Sequence, residues 1–174
     1  SEELGTKITD ISYGDEEANK FDLYLPKDST KDTYGLVIYL HAGGFTSGDK
    51  ADDENMLAWL CSKGYVAAGI NYTLRTDTNN ASVLLQSNEI KEAIPIVVEE
   101  AKNRLLEQQY WTSATYPPNQ DNISKIELIY KTSNYHKYYA PYYRFWVSNG
   151  EKMQNGLEIY SAFYISAIEE KYLR

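Results

Sequence analysis

The stretch Leu36-Val37-Ile38-Tyr39-Leu40-His41-Ala42-Gly43-Gly44-Phe45 decides the fold. Its uninterrupted apolar run, Leu36 to Leu40, reads as a strand buried on both faces. The segment His41-Ala42-Gly43-Gly44-Phe45 follows that run directly. Downstream, Asp52 to Lys63 reads as a helix. Met56, Leu57, Leu60 and Cys61 share one face, Asp52 and Asp53 suit its N-terminus, and Gly64 ends it. Tyr65 to Ile70 is a second buried strand. Upstream, Lys7 to Tyr13 and Lys20 to Leu25 form two short strands closed by Gly14-Asp15 and by Pro26. Ile90 to Leu106 carries the clearest helical spacing: Ile90, Ala93, Ile94, Val97, Val98, Ala101 and Leu105. Pro95 must then lie in its first turn or kink it. The β-β-β-α-β-α order predicts an α/β layer with parallel central strands.

After Tyr110 the apolar period changes to two. Pro117-Pro118-Asn119-Gln120 reads as a boundary. Ile126, Leu128 and Tyr130 alternate with Lys125, Glu127 and Lys131. Tyr139 to Val147 is a second extended run, with Pro141 implying an edge position or a bulge. Leu157, Ile159, Phe163 and Ile165 continue the alternation after Ser148-Asn149-Gly150 and Asn155-Gly156. The expected whole is an α/β protein with a mixed sheet and two parts, 1–110 and 111–174. The second part is antiparallel and Tyr-rich, and shares one core with the first. The Leu36–Leu40 strand presents an apolar edge, which the Ile123–Tyr130 strand is expected to cover. If that edge stays open, it offers a route to oligomers.

Composition narrows the function classes. Of 174 residues 43% are hydrophobic, enough for a real core, and the 17 tyrosines lie mostly in the second part. A net charge of −8 argues against nucleic acid and anionic membranes as partners. No apolar run approaches the roughly 20 residues of a membrane span. Cys61 is the only cysteine, so no intramolecular disulfide forms, and its apolar neighbours predict a buried helical position. With two histidines and one cysteine, no transition-metal site is expected, and no glycine loop suggests a cofactor. Asp49, Asp52, Asp53 and Glu54 lack calcium-loop spacing.

Several segments resemble, in order, esterases and lipases of the α/β-hydrolase superfamily, particularly the hormone-sensitive-lipase-like group. They are Phe21-Asp22-Leu23-Tyr24-Leu25-Pro26, His41-Ala42-Gly43-Gly44-Phe45 with Ser47-Gly48-Asp49-Lys50, Gly64-Tyr65-Val66-Ala67 and Asn71-Tyr72-Thr73-Leu74-Arg75. The resemblance implies an oxyanion loop over His41, Ala42, Gly43, Gly44 and Phe45. Gly43 and Gly44 would let amides approach an oxyanion, and His41 would order the loop. It stops near Lys102-Asn103-Arg104. Such an enzyme also needs a serine in G-x-S-x-G, and none of the thirteen serines sits in that pattern. The Tyr-rich second half resembles β modules of Gram-positive extracytoplasmic proteins in composition alone. A soluble, bacterial extracytoplasmic protein is the corresponding expectation.

Other candidates carry ordinary readings. Ser47 suits turn or capping chemistry. His136 falls in an expected hairpin loop, and its nearness to Ser133 makes no dyad. Tyr138, Tyr142, Arg144 and Trp146 could stack on sugars or aromatic ligands, against sheet-face packing as the ordinary alternative. The leading expectation is a non-catalytic or degenerate esterase-like protein that binds a small ester or anion, or a protein. The alternatives are a carboxylic ester hydrolase using a non-standard serine, and a chimeric or designed chain with no evolved activity.

Overall fold

The computed structural model describes residues 4–29, 31–133 and 136–168. The chain divides into two compact units, Ser1–Leu105 and Leu106–Arg174.

The first unit contains β1 (Leu4–Ser12), β2 (Lys20–Pro26), β3 (Leu36–Leu40), α1 (Glu54–Ser62), β4 (Val66–Ile70) and α2 (Val83–Gln109), whose last turn passes into the second unit. Its sheet has the order β1-β2-β4-β3. β3 and β4 run parallel, while β2 pairs antiparallel with both β1 and β4. Only one pair is parallel, so the sheet is mixed. Alternation places Phe21, Leu23, Leu25, Val66, Ala68 and Ile70 against Ala93, Val97 and Ala101 of α2. On the opposite face Tyr24 and Ala67 pack with Leu57 and Cys61 of α1. The result is a sheet with a helix on each side.

β2 and β4 are the strands buried throughout. β3, expected to be buried on both faces, is half-buried, because it is the last strand of its sheet. The Ile123–Tyr130 segment does not cover it: that strand pairs in the second sheet, and β3 has no further strand among the described residues. The helix expected from Asp52 opens instead with a 3₁₀ turn, Lys50–Asp53. Asp49 caps it, and Asp52 returns the bond to the Asp49 amide. α2 starts well before Ile90, because the Ser82 hydroxyl accepts from the Leu85 amide at 3.1 Å. Pro95 therefore lies in the helix interior rather than in its first turn.

The second unit contains β5 (Trp111–Thr112), β6 (Ile123–Ser133), β7 (His136–Lys152) and β8 (Glu158–Ser166). They form one antiparallel sheet, ordered β5-β8-β7-β6. The expected three-stranded meander is present, with β5 added beside β8. Phe163 and Val147 are buried, and the rings of Tyr110 and Tyr116 meet Phe163 edge-on. Gly156, at φ 84°, closes the β7–β8 hairpin as the left-handed residue of a three-residue loop.

Pro141 is neither at an edge nor in a bulge. It pairs with Tyr130 on β6, and its carbonyl accepts from the Ala167 amide just beyond the end of β8. A residue's N and O point to the same side of a strand, so the missing donor faces the side where the β8 ladder has ended. His136, expected in a loop, is the first residue of β7 and pairs with Ser133; its side chain lies outside the described residues.

Candidate functional site

Parallel pairing brings Leu40 beside Ile70, so the chain leaves β3 and β4 at the same end of the sheet. His41 and the glycine loop emerge from one strand, and Asn71, Tyr72 and Thr73 from the other. Ligands in open α/β sheets sit at these carboxyl ends. The His41 ring stacks on Tyr72, with centroids 4.7 Å apart and planes 4° from parallel. The Tyr72 hydroxyl donates to the His41 carbonyl at 3.2 Å, and burial raises its pKa. His41 Nδ1 donates to the Ala42 carbonyl at 2.9 Å; Nε2 is buried and has no hydrogen-bond partner among the described residues.

The loop is held by its carbonyls. The Gly43 carbonyl accepts from the Thr46 and Ser47 amides, both at 3.1 Å, and from both hydroxyls. The Phe45 carbonyl accepts from the Arg75 amide at 2.9 Å and from Gln86 Nε2 at 3.0 Å. The amides of Gly43, Gly44 and Phe45 make no hydrogen bond with any described residue. Three successive residues have positive φ: 131° at Gly43, 61° at Gly44 and 68° at Phe45. Successive amides in such conformations form a concavity suited to anions. A Cβ on Gly43 would lie 2.0 Å from the Ser47 carbonyl oxygen, whereas one on Gly44 would meet nothing within 4 Å. Ala42 does not have a positive φ, so its side chain is no obstacle.

Below the loop, Asp49 accepts from the Ala51 amide at 2.8 Å and from Asn71 Nδ2 at 2.7 Å, and Asn71 Oδ1 accepts from the Lys50 amide. Burial alone would raise the Asp49 carboxyl; these donors hold it below its ordinary value. Lys50 turns inward to Asp22 at 3.0 Å and Asp10 at 2.9 Å. Glu89, buried on α2, accepts from Asn19 and from the amide and hydroxyl of Thr73. Tyr72 and Asn71 were visible in the sequence only as part of the resemblance. Lys50 was visible in the same way, whereas Gln86 and Glu89 gave no local signal, because their partners are distant in sequence. Among the described residues no group of three or more His, Cys, Asp or Glu side chains is placed to hold a metal ion. No helix of the described residues is long and apolar enough to cross a membrane.

Of the proposed aromatic surface, the structure places Tyr142, Arg144 and Trp146 on one face of β7. Tyr138 has its side chain outside the described residues. Glu127, opposite Arg144, binds Arg144 at 2.8 and 3.1 Å, Trp146 Nε1 at 2.8 Å and Lys125 at 2.6 Å. An open hollow of about 440 Å³ is lined by Ser124, Lys125, Glu127, Arg144, Trp146 and Tyr160. Tyr142 does not line it, and Tyr160 does, through a cross-strand position that the sequence did not reveal.

Residues 21–111, which carry the strands and the glycine loop just described, match the BD-FAE family. The chain belongs to the BD-FAE family. It is 30% identical over 94 residues to a kynurenine formamidase of Danio rerio, covering 53% of this chain and 30% of that protein. It is 27% identical over 97 residues to the kynurenine formamidase of Salmo salar, covering 56% of this chain and 32% of that protein. Among solved structures it is similar to esterase B from Lactobacillus rhamnosis, at 25% identity and a TM-score of 0.47. That match covers 53% of this chain and 29% of the esterase. The chain thus spans about a third of the length of these relatives. The BD-FAE match ends at 111, so it leaves β6, β7 and β8 outside.

Proposed function

We propose that the first unit is an esterase-type oxyanion-binding module. It holds a small anion or an ester carbonyl on the Gly43, Gly44 and Phe45 amides and does not by itself turn esters over. The observation that carries this reading is three unpartnered amides beside a histidine whose ring nitrogens no described hydroxyl reaches. Acyl transfer requires a hydroxyl hydrogen-bonded to a base, which is in turn oriented by a third group. Ser47 Oγ instead donates to the Gly43 carbonyl, and His41 Nδ1 to that of Ala42. An oxyanion donor is worth about 2.7–4 kcal/mol in a working enzyme, but only where a nucleophile creates the charge.

The test is an amide NMR titration of the chain with acetate and butyrate, alongside p-nitrophenyl acetate turnover and fluorophosphonate labelling. The Gly43, Gly44 and Phe45 amides shift, turnover stays at trace level and no adduct forms. Gly43→Ala collides with Ser47 and abolishes the shifts. Gly44→Ala meets no neighbour, costs about 1–2 kcal/mol for its left-handed backbone, keeps its amide and retains them. Amides indifferent to carboxylate would defeat the proposal.

Ester hydrolysis through a non-standard serine is the second reading, supported by the esterase and formamidase names of the relatives. Ser47 is the hydroxyl it would use. One labelled serine, with turnover lost on its replacement by alanine, would establish that reading instead. The open β3 edge supports association of copies, which sedimentation across a concentration series measures.

A further inference from the structure

We propose that the second unit binds a neutral pyranose-containing oligosaccharide in the hollow between Trp146 and Tyr160. Strand pairing sets Trp146 opposite Ala162 and Ser148 opposite Tyr160. The two rings therefore stand at opposite corners of a square whose other corners are small residues. Diagonal neighbours of this kind lie roughly 7–8 Å apart at the backbone. Trp146 and Tyr160 make no ring contact with each other, and both line the hollow, with Ser124, Lys125, Glu127 and Arg144 as its other walls. The hollow of about 440 Å³ suits one sugar ring against the rings, with neighbouring units running out along the sheet.

The Trp146 ring is fixed before any ligand arrives. Its Nε1 donates to Glu127, the Arg144 guanidinium lies 5.1 Å from its centroid, and Glu127 holds Arg144 through two nitrogens. A half-exposed indole locked in this way loses little freedom on binding. The rings offer negative π-faces to the weakly positive C–H groups on one side of a pyranose.

Charge selects against ions. Lys125 and Arg144 are offset by Glu127 and by Glu158, which accepts from the Tyr160 hydroxyl at 2.6 Å. The cluster has no net charge to attract a carboxylate or a phosphate. It does present hydrogen-bonding groups to a ligand in the hollow, including the Ser124 hydroxyl and the spare hydrogens of Lys125. The site lies outside the stretch that matches the BD-FAE family.

The test is an NMR titration of the chain, following the three indole Nε1 signals, with cellohexaose, mannohexaose and maltohexaose as neutral probes. Trigalacturonic acid serves as the charged comparison and indole as the aromatic one. At least one neutral hexaose shifts the Trp146 signal in the millimolar range and leaves Trp59 and Trp111 in place. Tyr160→Ala weakens that binding at least ten-fold. Ser124→Leu, which pushes a larger side chain into the hollow, does the same. No shift with any neutral hexaose, tighter binding of trigalacturonic acid or indole, or unchanged affinity in both variants would overturn the proposal.

Discussion

His41 and Tyr72 form a parallel stack at 4.7 Å that joins the end of β3 to the end of β4. The Tyr72 hydroxyl binds the His41 backbone, so a single side chain fixes both the ring and the carbonyl of the residue that opens the glycine loop. Removing only the hydroxyl in Tyr72→Phe costs about 0.5–1.5 kcal/mol and leaves the stack and the loop amide shifts in place. Tyr72→Ala leaves a cavity and costs about 3–5 kcal/mol. It also broadens the Gly43 and Gly44 amide signals. Urea unfolding and amide spectra of the two variants check both statements.

Lys50 is buried between Asp22, itself 2% exposed, and Asp10. Lys50→Met strands the Asp22 carboxylate, and breaking such a pair costs about 3–5 kcal/mol. Burial alone would lower the Lys50 pKa, but Asp10 and Asp22 raise it above 10.5 overall. A raised folded value means that the contribution is complete below the unfolded pKa and fades as pH rises through the folded one. Wild type therefore loses more stability than Lys50→Met once pH rises above the ordinary lysine value of about 10.4, as denaturant midpoints will show.

Glu127 is held at about 2, below its ordinary value of 4.5, by Lys125, then Trp146, then Arg144. A lowered folded pKa stabilises above the unfolded value and is lost as pH falls through the folded one. The Trp146 indole signal should therefore hold steady from neutrality to about pH 4 and move as acid approaches the folded value. Carboxyl NMR gives the midpoint directly. In Glu127→Gln that acid transition disappears.

Cys61 is 1% exposed, and burial pushes its thiol up to about 11. At pH 8 roughly a thousandth is thiolate, and reagents cannot reach it. Ellman's reagent should read no thiol in the native chain and one after denaturation. Native labelling at the rate of a free thiol would contradict the packing of α1 against Tyr24 and Ala67.

Much of the layout was legible because it depends on neighbours in sequence. The Leu36–Leu40 run matches β3 residue for residue, and Tyr65–Ile70 differs from β4 by one terminal residue. Cys61 was readable from helical spacing, and the glycine loop from Gly43 and Gly44. Ala81-Ser82 held a capping signal that extends α2 to Val83, but the apolar spacing that begins at Ile90 obscured it. The inward turn of Lys50 was not legible, because its partners are 28 and 40 residues upstream.

The sequence by itself determined which segments are strands or helices, where the loop turns, and that the apolar period changes after Tyr110. Each follows from steric preference or side-chain alternation within a few residues. Tertiary structure alone decided that β3 ends its sheet, that Pro141 is harmless inside β7, and that Trp146 and Tyr160 line one hollow. These depend on strand order and register, which set neighbours between residues far apart in the chain. Local periodicity gives a strand its two faces, but the pairing of whole strands decides what each face meets.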